Sequence, residues 1–314
     1  MPASARRTFD EILTAAVADL TDHGFDSPGR VEYWTRMLQE AAERVAGSSH
    51  MREEALRRGL ETIYRRLVER GGLAKRHRGV ARFVLERVKP SLRAELDRRI
   101  YAAADLIKLN KERAVEQTLQ RLKGWATSVP AGGSVVVDKR EVKENVKKAL
   151  GSLAFEERRV VIDQGHKLAS SLSDILAREG GALAGIWHSH WRQSGYNYRE
   201  DHRERDSVVY AVRGNWALQR GLMKSPNGYT DEIEQPGEFV YCRCYYQWIY
   251  SLRDLPRDML TQRGIDELAR VRREISGPNG RADAAGVAPS SEGAHAGAED
   301  RSEGTRESAG AGVS

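Results

Sequence analysis

The chain has 314 residues, of which 40% are hydrophobic and 31% charged, and its formal net charge is +6. No run approaches the roughly 18 apolar residues a membrane span requires, and the opening MPASARRTFDEIL has no apolar signal core, so neither a transmembrane helix nor a secretory leader is expected. Two Cys separated only by Arg243 make no disulfide framework, which suits a reducing compartment or indifference to redox.

The first half reads as helices. Thr8-Phe9-Asp10-Glu11 is a capping box, followed by apolar Ile12, Ala15, Ala16 and Leu20 and a stop at Gly24. Ser27-Pro28 supplies an N-cap and a first-turn proline for a helix with Val31, Trp34, Leu38, Ala41, Ala42 and Val45 on one face, ending at Gly47. A third helix is expected over about 51–69. Lys89-Pro90-Ser91 interrupts the pattern and starts another helix, with Leu92, Leu96, Ile100, Ala103 and Ile107 at helical spacing. It continues, with a kink near Asn110, through Val115, Leu119 and Leu122.

Pro130–Ser134 reads as a loop and a domain boundary, with a short strand at Val135–Val137. Asp138 and Glu141 repeat the capping-box pattern for a helix ended by Gly151, and a long helix spans roughly 155–178. After Gly180-Gly181 the texture changes. Strands are expected at 182–187, 206–212 and 238–250, then a helix over about 258–275. The tail from Gly277 has three Arg against six Asp and Glu, hence −3, which leaves +9 on the body. Its Ala, Gly, Ser and Glu composition reads as disordered. The expected class is α+β: a helical region at 1–130, a small α+β domain with a short antiparallel sheet at 131–276, and the tail at 277–314.

The chemistry concentrates in residues 187–250, which hold four of six Trp, three of eight His and both Cys. The phrase Gly185-Ile-Trp-His188-Ser-His190 resembles the HxH motif of JAMM-type zinc peptidases, with Asp201 at the spacing of their third ligand. Trp191 stands where that motif has Pro, Tyr198 where it has Ser, and no upstream Glu base is identified. The alternative is a polar loop packed on Trp187 and Trp191. Strand alternation puts Cys242 and Cys244 on one face and Arg243 on the other. With His188, His190 or His202 the two thiols could complete a tetrahedral zinc site; otherwise they pack as small hydrophobes.

The run Arg199–Asp206 is formally charged except at His202. Asp201, Glu204 and Asp206 could hold a divalent cation, but Arg199, Arg203 and Arg205 would pair with them, which favours a structural charge network. Arg57, Arg58, Arg65, Arg66, Lys75 and Arg76 could touch phosphates non-specifically, diluted by neighbouring Glu. Alternation places Tyr246, Trp248 and Tyr250 on one face, suited to a core or a protein interface.

Three separated elements together resemble the Mu F-like phage head morphogenesis family of minor head proteins. They are Trp187, the Arg199-Glu-Asp-His202 pattern, and the approach from Pro236-Gly237 to Cys242-Arg243-Cys244. The stretches DRRIYAAADLIKLN, TLQRLKGWATSVPAGG and IDQGHKLASSL are also similar to tailed-phage head proteins. Ser207 stands where the family often has a Gly-centred turn, and the His188–Trp191 segment is additional to the family pattern. The resemblance implies a structural protein rather than an enzyme. Such a protein is present in few copies near the portal vertex of the virion head, and in the host cytoplasm during assembly. Portal and other head proteins would be its partners, with non-specific contact to packaged DNA. It requires no cofactor and neither proves nor excludes a structural zinc.

Overall fold

The Thr8 hydroxyl accepts the Glu11 amide at 3.2 Å while the Glu11 carboxylate takes the Thr8 amide at 2.7 Å. This reciprocal cap starts α1 (Phe9–His23), as its sequence predicts. The computed structural model describes residues 7–47 and 49–276. Four further helices follow: α2 (Pro28–Ala46), α3 (Ser49–Tyr64), α4 (Gly72–Arg76) and α5 (Arg82–Ala126). A π-helical turn, Arg65–Glu69, continues α3. A second long helix, α6 (Lys139–Glu179), packs along α5, and α1, α2 and α3 flank the pair.

Two buried clusters hold this bundle. Phe9, Leu13, Val17, Leu20, Leu38, Leu122 and Leu150 meet at one end. Leu56, Leu60, Leu92, Leu96, Ile107, Leu168, Leu172 and Leu176 meet at the other. Each such side chain contributes about 1.5–3 kcal/mol by leaving water. That explains two departures from the sequence reading. α5 runs through Pro90, because the lost backbone bond is offset by Val88, Leu92 and Leu96 buried on either side of it. It continues past Asn110 through Val115 and Leu122, as their spacing predicts. α6 runs through Gly151 because Leu150 and Leu153 hold both flanks in the core.

The expected strand at Val135–Val137 is absent. Val135 and Val136 stand in solvent with no strand beside them. The 130–134 loop folds back on the end of α1, where a Cβ on Gly24 (φ +69°) would lie 1.8 Å from the Pro130 carbonyl oxygen. Packing of α5 on α6 carries across the boundary expected at 130/131, so the loop joins two halves of one bundle.

Past α6 come β1 (Ala184–His188), α7 (Glu200–Glu204), β2 (Val209–Ala211), α8 (Trp216–Gln219) and β3 (Tyr245–Ile249). Two short 3-10 turns precede α9 (Gln262–Ser276). The sheet has the order β2-β1-β3 and is antiparallel throughout. A helical first half followed by this small antiparallel sheet is the expected α+β class. The strands are shorter than expected: the third starts at Tyr245, so Cys242 and Cys244 precede it. The in–out alternation still extends back through them, with both Cys buried and Arg243 exposed. The chain divides into two compact units, residues 1–268 and 269–314. In the second, residues 269–276 are the last turns of α9, carrying an Arg270–Glu274 pair. The tail expected from Gly277 lies outside the described residues, among which no helix is long and apolar enough to cross a membrane.

α6 is also the platform for the sheet. Tyr246, Trp248 and Tyr250 point one way, as the alternation predicts, and the Trp248 indole donates to Ser173 Oγ of α6 at 3.2 Å. His77, at the end of α4, is 1% exposed. Its Nδ1 lies 2.5 Å from the Tyr250 hydroxyl and its Nε2 3.1 Å from Ser173 Oγ. Burial, then the Arg76 charge, lowers the imidazole from 6.5 to about 4. Between those values the unfolded chain binds more protons, so stability is full above about 6.5 and falls with pH toward 4. Urea titrations at pH 7.5 and 4.5 should show an extra loss of roughly 2–3 kcal/mol in the wild type over His77→Gln. Equal losses would show that His77 is not the acid-sensitive group.

Candidate metal centre

α7 is a single helical turn that aims one residue inward. His202 is 2% exposed, while Asp201 and Arg203 on either side face solvent. Its Nδ1 lies 3.6 Å from Cys242 Sγ and 3.4 Å from Cys244 Sγ. The three ligating atoms fall within 4.8 Å of one another, and no other set of three His, Cys, Asp or Glu does so among the described residues. The ring is walled by Trp187, edge-on at 5.3 Å, and by Phe239 at 5.9 Å. Trp187 is fully buried and also meets Tyr246, its partner across β1 and β3, at 5.5 Å.

The distances suit a tetrahedral cation. Zinc bonds of about 2.3 Å to sulfur and about 2.05 Å to nitrogen place an S and an N about 3.6 Å apart. The surroundings favour negative sulfur. The Cys242 thiol is drawn down, first by hydrogen bonding from Cys244, against burial, and further by the Gly237 amide. That amide stands 3.4 Å from Cys242 Sγ. Cys244 is pushed up by its bond to Cys242 and by burial.

Outer contacts orient the imidazole. With Nδ1 facing the sulfurs, Nε2 is buried without a hydrogen-bond partner, and the Asp201 carboxylate stands 3.8 Å away on the side where a carboxylate backs a metal-binding His. Arg205 fixes Asp201 at 3.3 Å and Glu234 at 2.7 Å. Asp201 therefore lies behind His202, away from the sulfurs. Glu204 makes no ion pair among the described residues, and Arg203 pairs with Glu200. Of the pairing expected within 199–206, only Arg205–Asp201 forms; Arg199 turns to Phe239, Arg203 to Glu200, and Asp206 to the Ser189 amide and Trp191 indole.

The remaining candidates are dispersed. His188 ends β1, bonds Gln247 at 3.1 Å and stacks on Tyr245. His188, His190 and Asp201 do not converge as a ligand triad. His190 lies beyond the strand, with its amide directed at Cys244 Sγ. Arg199 covers the Phe239 ring at 4.7 Å and donates to the Val240 carbonyl. The Pro236 carbonyl accepts from Ser170 of α6. Arg243 extends outward over Tyr196. Arg57 and Arg65 pair with Glu54 and Glu69, while Arg58, Arg66, Lys75 and Arg76 are exposed without an ion pair among the described residues. Arg66, Arg76 and Arg243 line a groove of about 1150 Å³ between the helices and β3.

Several contributors have no sequence signal. Tyr241 is left-handed at φ +62°, held by Asp163 of α6 accepting its amide at 2.6 Å and by Arg159 over its ring at 4.0 Å. A bulky residue in that conformation is strained, and it sets the chain direction into Cys242. Phe239 is equally silent, while Gly237, read only as part of the approach to the cysteines, supplies an amide to Cys242 Sγ. Compared with models of protein families, with curated proteins and with solved structures, the chain shows no match.

Ser207 also has positive φ, +70°, where its amide donates to the Trp187 carbonyl at 2.8 Å. The side chain is exposed, so Gly can replace it without loss of packing. Relief of the left-handed cost should exceed the added chain entropy, and Ser207→Gly should gain roughly 0.5–1 kcal/mol in urea unfolding. A loss of stability would show that the turn is unstrained by Ser207.

Proposed function

We propose that this chain is a minor head protein of a tailed phage. Its sheet domain would be of the Mu F-like kind, pinned by a structural zinc on His202, Cys242 and Cys244. One observation carries the reading. The Arg199-x-x-His202 and Cys242-Arg243-Cys244 elements, whose cysteines follow His202 by 40 and 42 residues, meet in one buried cluster. Trp187 packs directly on it, and the turn where the family pattern often has Gly is left-handed at Ser207. The role is architectural. The cluster is buried, which suits a closed structural site, and the long α5–α6 pair offers an extended mixed-charge arm for docking to portal and other head proteins. Exposed Arg58, Arg66, Lys75 and Arg76 would tolerate packaged DNA.

The peptidase alternative on His188, His190 and Asp201 is less well supported. His188 is engaged by Gln247, and Asp201 by Arg205 and His202. It would require cleavage activity lost when both His are changed to Ala.

Two measurements test the proposal. Mass spectrometry of purified virions or proheads should find the chain, and it should co-purify with portal; absence from both rules out the head role. Elemental analysis should find one zinc per chain. Chelation should cost about 3 kcal/mol or more, roughly 6–12 °C in Tm. A metal-free protein, or one unmoved by chelation, eliminates the zinc.

A further inference from the structure

The segment His188–Trp191 is additional to the family pattern, and it is held in place from one side. Asp206 accepts the Ser189 amide at 2.9 Å through Oδ1 and the Trp191 indole at 2.9 Å through Oδ2. This clamp fixes the residues on both sides of His190. The His190 amide is directed at Cys244 Sγ, and Ser189 Oγ is buried beside that sulfur without a hydrogen-bond partner of ordinary geometry. The His190 imidazole is half-buried, rests against Tyr245 and Tyr196 at 6.0 and 6.5 Å, and lines the groove together with Cys244. Among the described residues neither of its ring nitrogens has a hydrogen-bond partner.

Three protein ligands leave a tetrahedral zinc one position short. The other nearby acids are committed elsewhere. Asp201 sits behind His202, Asp206 holds the 189–191 backbone and indole, and Glu234 is bound to Arg205. His188 faces Gln247. We propose that His190 is the fourth ligand, closing a Cys2His2 zinc site with His202, Cys242 and Cys244. This rests on the zinc reading above. In this structure the His190 imidazole lies outside the three converging ligand atoms, so binding requires it to turn about its side-chain torsions, away from Tyr245 and toward the sulfur its own amide already faces. The function of the inserted segment is then to deliver that ligand. The closed site ties the end of β1, the α7 turn and the approach to β3 together at one point, and it excludes substrate from the metal.

Cobalt(II) is the probe, because its visible spectrum reports ligand number and type. Wild type should bind one cobalt with the intense bands of four-coordinate metal. His190→Ala should bind it more weakly by more than the roughly 10–100-fold that an outer-contact change costs. X-ray absorption should then replace one imidazole nitrogen by an oxygen. His188→Ala should match wild type. His190→Cys should restore four-coordination and add sulfur-to-cobalt charge-transfer intensity, a gain open only to a residue that touches the metal. It also answers the case in which His190→Ala fails to fold. Wild-type affinity and spectrum in His190→Ala, or no added charge transfer in His190→Cys, overturns the proposal while leaving the three-ligand zinc intact. A wild type that binds neither cobalt nor zinc defeats both.

Discussion

The imidazole of His202 is the constraint around which the second half of the molecule is arranged. It is almost fully buried, and an unpaired polar ring in that position would cost several times the net value of an ordinary hydrogen bond. The chain meets this cost from three directions. Two sulfurs stand at Nδ1, the Asp201 carboxylate faces Nε2 from 3.8 Å without a hydrogen bond, and aromatic rings close the faces. Only Asp201 neighbours His202 along the backbone; Trp187 comes 15 residues before it, and Phe239, Cys242 and Cys244 come from one segment 37 to 42 residues after it. Satisfying one ring therefore fixes how a helical turn, a loop and two strands are placed.

That placement depends in turn on α6. Over 41 residues it serves the bundle with Leu168, Leu172 and Leu176 and the sheet side with Asp163, Ser170 and Ser173. The bond from the Tyr241 amide to Asp163 matters most, because it stabilises a left-handed tyrosine immediately before Cys242. Strain at that point is offset by a short hydrogen bond and an Arg159 contact. The scaffold and the cluster are one mechanical system: the helix aims the loop, and the loop brings the sulfurs to the histidine.

Much of this was legible in residues. The capping box at Thr8, the helical periodicity of the first half, and the alternation through Tyr246, Trp248 and Tyr250 all reappear as read, because each is a local rule with a local cause. The six candidate ligands included all three that converge. Where the reading departed, tertiary packing outweighed local signals. Pro90 and Gly151 look like helix ends, yet buried leucines on either side carry the helix through. Val135–Val137 looks like a strand, yet no neighbouring strand is there to pair with it.

By itself, the sequence determined the class of architecture, the placing of both cysteines on one face opposite Arg243, and the concentration of chemistry in residues 187–250. These follow from periodicity and composition, which are properties of neighbours in the chain. Only the tertiary structure decided which histidine faces the sulfurs. His188, His190 and His202 are equivalent as letters, but Gln247 engages the first, Asp206 clamps the segment around the second, and a single turn of α7 buries the third. That choice is made by contacts across roughly 40 residues of chain, where hydrogen-bond demand and side-chain shape act and sequence spacing carries no information.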